Sequence, residues 1–118
     1  MIQHVSLECR PADADALLGF WALLGFEEVD PPAGLAGRSR WCERDGQQVH
    51  LLLTEDPVAP PSGHCAVVPD DYDATVARLR GAGFTVDPRA EHWGAPRSFV
   101  RAPGGHRVEL MAAPPASR

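Results

Sequence analysis

The sequence predicts an α+β chain made of two tandem βαβββ modules, and three observations predict it. The chain matches itself at an offset near half its length. Val49-His50-Leu51 answers Val108-Glu109-Leu110, His4-Val5-Ser6-Leu7 answers His64-Cys65-Ala66-Val67, and Leu24-Gly25-Phe26 answers Ala82-Gly83-Phe84. Such a repeat marks a duplicated structural unit. Both halves run strand, helix, strand, strand, strand. Finally, 118 residues with 44% hydrophobic content suffice for one compact domain, whereas either half alone is marginal. Module one is placed at 1–56 and module two at 63–113, joined by a linker at 57–62. The expected architecture is a single curved, half-barrel-like mixed sheet of eight strands with both helices on its convex face.

Residues 2–9 alternate His4, Ser6 and Glu8 with Val5, Leu7 and Cys9, the period of a strand with one polar face. Pro11 stops it, and Asp13 caps a helix over 13–24 in which Leu17, Phe20, Trp21 and Leu24 share a face. Gly25 ends that helix. A short strand at 26–30 and a Pro-rich turn lead to strands at 39–43 and 47–54, joined by the tight turn Arg44-Asp45-Gly46. The linker carries Pro57, Pro60 and Pro61, a stiff, non-regular connection. In the second module a strand at 64–68 precedes a helix introduced by Asp70, with Tyr72, Val76 and Leu79 on one face and Gly83 at its end. A strand at 84–87, a loop at 88–96 and a hairpin at 97–101 and 106–112 complete the copy.

Formal net charge is -5 and lysine is absent, so a nucleic-acid partner is not expected. Arg38, Arg40, Arg97, Arg101 and Arg107 fall in strand-like segments and offer a few anion contacts. Cys9, Cys42 and Cys65 form no CxxC pair and are expected to be reduced and buried, as in a cytoplasmic protein. No basic-then-apolar leader opens the chain and no stretch reaches membrane-spanning length. Abundant Pro, Ala, Gly and Arg without Lys suit a GC-rich bacterial coding background.

The repeat singles out four residues. His4 and His64 open their modules, and His50 and Glu109 close them. Strand parity puts His4, His50 and Glu109 on the less apolar faces. Three imidazoles and a carboxylate suit a divalent transition ion, and zinc, nickel, iron and manganese all remain open. A His in a strand also serves as an ordinary hydrogen-bonded polar residue, and in a closed tetrahedral site the same residues are structural only. Glu8 shares the His4 face and is a candidate acid–base group or a partner to a ligand, against the simpler account of a solvated acid. Trp41, His92, Trp93 and Phe99 are candidate substrate contacts, although Trp93 equally serves to anchor its own loop. No nucleotide-binding glycine loop and no acyl-transfer triad is present.

This pattern resembles the vicinal-oxygen-chelate superfamily, which includes glyoxalase I, methylmalonyl-CoA epimerase, fosfomycin-resistance transferases, extradiol dioxygenases and bleomycin-resistance proteins. In its metal-using members a histidine from each module's first strand and a glutamate from the last strand bind the ion, positions matched here by His4, His64 and Glu109. A fourth ligand, often Glu or Gln, sits where this chain has His50. The turn Ala102-Pro103-Gly104-Gly105-His106 departs from the family's usual Asp before the proline and Asn after it. The resemblance implies a small metal-dependent enzyme, with Glu109 as ligand and proton carrier, acting on a substrate with adjacent oxygens by isomerase, lyase or transferase chemistry. The alternative it implies is a metal-free drug- or small-molecule-binding protein with an aromatic groove. Either is expected to be a homodimer.

Overall fold

Alternating side chains select the strands, and glycines end both helices. The computed structural model describes residues 1–117. Its order is β1 (His4–Cys9), α1 (Ala14–Leu23), β2 (Glu27–Val29), β3 (Ser39–Arg44) and β4 (Gln47–Leu53). The same order follows in β5 (His64–Val67), α2 (Tyr72–Gly81), β6 (Val86–Arg89), β7 (Arg97–Arg101) and β8 (Arg107–Met111). Two compact units result. One comprises Met1–Ala59 with Pro103–His106; the other comprises Pro60–Ala102 and the residues from Arg107 on.

The expectation of one curved eight-stranded sheet is overturned. The strands form two separate four-stranded sheets, β1-β4-β3-β2 and β5-β8-β7-β6. The end strands of each order do not pair with one another, so neither sheet closes into a half-barrel. Each sheet is mixed, because β1–β4 and β5–β8 are parallel while the remaining pairs are antiparallel. Periodicity specifies which face of a strand is buried; it does not specify which edge accepts a neighbour. The helices follow the sheets: α1 packs on β2 and β3, and α2 packs on β6.

Both helices end in the same way, as the repeat requires. Phe26 N–H donates to the Trp21 carbonyl and Gly25 N–H to the Ala22 carbonyl; Phe84 and Gly83 repeat this on Leu79 and Arg80. These are two Schellman caps, with Gly25 at φ 89° and Gly83 at φ 95°, a left-handed backbone that favours glycine. The starts differ. Asp71, not Asp70, caps α2, its Oδ1 accepting Ala74 N–H at 3.0 Å. Asp13 stands at the N-cap of α1 without a side-chain cap bond, because a short 3-10 turn at Pro11–Asp13 leads into the helix.

The β3–β4 turn carries positive φ at Asp45 (49°) and Gly46 (78°), the conformation that suits a two-residue hairpin. Pro88 lies inside β6 and not in the loop that its identity suggested. That strand is at the sheet edge, where a missing N–H removes no ladder bond on the open side. Apolar packing in the first unit centres on Leu17, Phe20 and Trp21, with Trp21 edge-on to Phe20 (5.6 Å) and to Phe26 (5.2 Å). In the second unit Leu79, Val108 and Leu110 are fully enclosed. Cys9 and Cys42 are buried and Cys65 half-buried, all as free thiols. Burial pushes the Cys42 thiol up to about 12. Among the described residues no helix is long and apolar enough to cross a membrane.

Candidate functional site

In the first unit, register carries His4, Gln48, His50 and Trp41 to one face. His4 lies opposite Gln48, and His50 is flanked by Ser6 on β1 and Trp41 on β3. The rings stack: His50 lies 3.8 Å from Trp41 at 5° and 4.0 Å from His4 at 17°, centroid to centroid. A relay fixes the middle ring. Gln48 Nε2 donates to Glu43 Oε1, which turns the Gln48 carbonyl oxygen toward His50 Nε2 at 2.8 Å. That oxygen only accepts, so Nε2 of His50 bears the proton. Burial and, secondarily, His4 hold the His50 imidazole below its ordinary pKa. Trp41 Nε1 donates to Ser39 Oγ at 2.8 Å. Its indole also lines a cavity of about 350 Å³ with Leu35, Arg38, His50 and Leu52.

In the second unit the corresponding face is ionic. Register puts Ala66 and Phe99 on either side of Glu109, and Arg107 opposite His64. His64 Nδ1 donates to the Ser62 carbonyl at 2.8 Å. A neutral His64 therefore presents the bare lone pair of Nε2, and Glu109 Oε1 lies 3.2 Å from it. Two acceptors face each other, an arrangement that a proton or another cation must join. Arg97 Nε donates to the other Glu109 oxygen at 2.8 Å, and both side chains are well buried.

Glu8 Oε1 accepts Val58 N–H at 2.8 Å, tying the end of the first unit to β1. Trp93 Nε1 donates to the Ala113 carbonyl at 2.7 Å, which anchors its loop, and the exposed His92 ring lies 6.5 Å from Trp93. Phe99 is buried beneath guanidinium groups. Sequence reasoning missed the supporting partners Gln48, Ser62 and the Arg97–Glu109 pair. The hairpin register held the signal for Arg97, which reaches Glu109 on the diagonal from its own partner Met111. His106, read as a plain turn residue, is buried and bonds the Glu8 carbonyl through Nε2 at 2.7 Å.

Among the described residues no group of three or more His, Cys, Asp or Glu side chains is gathered to hold a metal ion. The donor pairs differ in fitness for one. Two atoms bound at about 2.1 Å and subtending roughly 90–109° lie about 3.0–3.4 Å apart. The 3.2 Å between His64 Nε2 and Glu109 Oε1 falls within that span, with Nδ1–H held by a carbonyl as a ligating imidazole requires. The rings of His4 and His50 lie in nearly parallel planes with centroids 4.0 Å apart, so lone pairs confined to those planes do not converge on a common ion.

A duplicated βαβββ chain defines a class of fold, and the comparisons with known proteins agree on that class. The family model for the glyoxalase-like domain matches residues 5–111, and the chain belongs to that family, within the vicinal-oxygen-chelate superfamily. No curated protein matches the sequence. Among solved structures, a glyoxalase family protein from Bacillus anthracis is 23% identical, with a TM-score of 0.84 over 94% of this chain and 93% of that one. Lactoylglutathione lyase from Agrobacterium tumefaciens is 21% identical, with a TM-score of 0.72 over 94% and 92%. The fosfomycin resistance protein FosX from Listeria monocytogenes is 16% identical, with a TM-score of 0.77 over 97% and 91%. At these identities the likeness concerns the fold.

Proposed function

We propose that the protein is a small-molecule enzyme of the glyoxalase-like family that uses a divalent metal ion held in part by His64 Nε2 and Glu109 Oε1. The observation that carries this reading is the pair of facing acceptors at 3.2 Å, oriented from behind by Ser62 and Arg97. The first unit's His4 and His50, expected from the sequence as further ligands, stack on one another there, with Nδ1 of His4 bonded to Gln3 Oε1 and Nε2 of His50 to Gln48 Oε1. A bound ion supplies Lewis-acid polarisation of adjacent substrate oxygens, the chemistry shared by isomerase, lyase and transferase reactions. Around it the chain's own groups divide the work. Ser62 fixes the His64 tautomer, and Arg97 holds Glu109 aimed. Each four-stranded sheet leaves two edge strands, which supports a homodimer that covers one of them.

A second reading is favoured by a different observation. The Trp41–His50–His4 stack borders a cavity of about 350 Å³, a platform for a flat ligand that needs no metal. Metal analysis of tag-free protein, purified without added ions, separates the two readings. The enzyme reading expects stoichiometric metal that is lost in His64→Ala and in Glu109→Gln. Wild-type protein that neither carries metal nor takes up zinc or nickel, yet shows tryptophan fluorescence quenched by flat aromatic ligands, with the quenching lost in Trp41→Phe, establishes the binding-protein reading instead.

A further inference from the structure

We infer that the second unit carries an anion pocket, built on Phe99 and Arg107, that takes a small organic carboxylate, phosphate or phosphonate with a flat or apolar body. A cavity of about 420 Å³ opens beside β6, β7 and β8, lined by Phe84, Asp87, Arg89, Phe99, Arg101 and Arg107 among others. That volume lies in the range of small-molecule sites. Its charge is opposite to that of the chain: three guanidiniums and a single carboxylate line it, in a protein of net charge -5.

Guanidiniums crowd the Phe99 ring, two from the pocket lining and Arg97 from outside it. Arg107 Cζ lies 4.2 Å from the Phe99 centroid, Arg89 Cζ 5.2 Å and Arg97 Cζ 5.5 Å. Two of these cations are matched by acids, Arg97 by Glu109 and Arg89 by Asp87 at 3.0 Å. Arg107 has no carboxylate partner among the described residues. Its Nη1 reaches only the Ser62 carbonyl, at 3.4 Å, the outer limit of a hydrogen bond. Like charges gathered this closely repel one another, and the ring face relieves only part of that repulsion. An incoming oxyanion supplies the missing charge. The planar fork of Arg107 suits two oxygens of a carboxylate or a phosphoryl group, and Phe84 and Phe99 supply apolar wall for the body of the ligand.

The pocket lining includes neither His64 nor Glu109, but its Phe99 ring lies edge-on to His64 at 4.8 Å, so binding here is read apart from any metal at that pair. It is therefore tested on chelator-treated full-length protein. Titration calorimetry with phenylphosphonate, benzoate, inorganic phosphate and uncharged benzamide, at low and raised salt, reads the binding. Phenylphosphonate or benzoate is expected to bind saturably, more weakly as salt rises, and benzamide not at all; inorganic phosphate reports whether the anion alone suffices. Arg107→Gln is expected to weaken binding about tenfold or more, Arg107→Lys to restore only part of it, and Arg10→Gln to leave it unchanged. Should Arg107→Gln fail to fold, the guanidinium Nε–Hε resonance of Arg107 in the wild-type protein carries the test, and it is expected to shift on titration. Absence of saturable anion binding, benzamide binding as tight as benzoate, equal losses in Arg10→Gln and Arg107→Gln, or an unmoved Arg107 resonance overturns the proposal.

Discussion

The two units share a strand order, a parallel first pair and a helix cap that repeats hydrogen bond for hydrogen bond, yet their equivalent faces carry different chemistry. In the first, the repeat-related pair His4 and His50 stacks with Trp41 and holds its polar edges on glutamine oxygens. In the second, His64 and Glu109 meet edge to oxygen, with Arg97 behind. The substitution responsible is small. A histidine at the closing position presents a ring face that stacks, whereas a glutamate there presents charge that draws an arginine and a histidine edge. Duplication has preserved the backbone solution while the side chains have divided into an aromatic face and an ionic one.

The shared scaffold predicts the largest effects and predicts them equal. Leu51 and Leu110 occupy matching, fully enclosed positions on β4 and β8, and alanine at either is expected to cost about 3 kcal/mol in chemical denaturation. A large inequality between them breaks the equivalence of the two cores. Where the faces diverge, so should the mutations. Glu109→Gln leaves the buried Arg97 cation unmatched and is expected to cost about 2–3 kcal/mol. Arg40→Ala, which removes the exposed Arg40–Asp15 and Arg40–Glu28 pairs of the first unit, is expected to cost under about 1 kcal/mol.

Backbone conformation yields a contrast of sign. Gly83→Ala forces a side chain into φ 95° and is expected to destabilise by about 1 kcal/mol. Gly19→Ala, in the interior of α1 with open space around its Cβ position, is expected to stabilise by roughly as much. Thermal unfolding of the two variants reads both signs.

The smallest effect is a pH dependence confined to the aromatic face. Because His50 titrates below its unfolded value near 6.5, the unfolded chain binds its proton first. The contribution of neutral His50 is thus complete above that pH and is lost as pH falls toward the folded value. His50→Phe keeps a flat ring in the stack and is expected to flatten that acid-side slope of stability. An unchanged slope assigns the acid sensitivity to other groups.

Much of this was legible in the sequence, for identifiable reasons. The repeat exposed both modules, and alternation put His4 and His50 on the less apolar faces of their strands, which the register brings to one face of the sheet. Glycine at Gly25 and Gly83 named the helix ends because few other residues accept that φ. Sheet continuity was not legible, since the pairing of an edge depends on three-dimensional packing that no strand period encodes. Pro88 misled because proline signals a loop everywhere except on a sheet edge. The state of each donor was equally hidden. Whether His50 faces a ligand or a stacked ring is decided by Trp41 on a neighbouring strand, and whether Glu109 stands alone is decided by Arg97 across a hairpin.

Whether Glu109 and the bare Nε2 of His64 form a cation-binding pair is read by nitrogen-15 NMR of the imidazoles during a zinc titration of metal-free protein. His64 should show a protonated Nδ1, and its Nε2 resonance should move to saturation with zinc in the wild type but not in Glu109→Gln. A His64 whose proton resides on Nε2 alone, or whose Nε2 ignores zinc while the protein remains folded, contradicts that pairing.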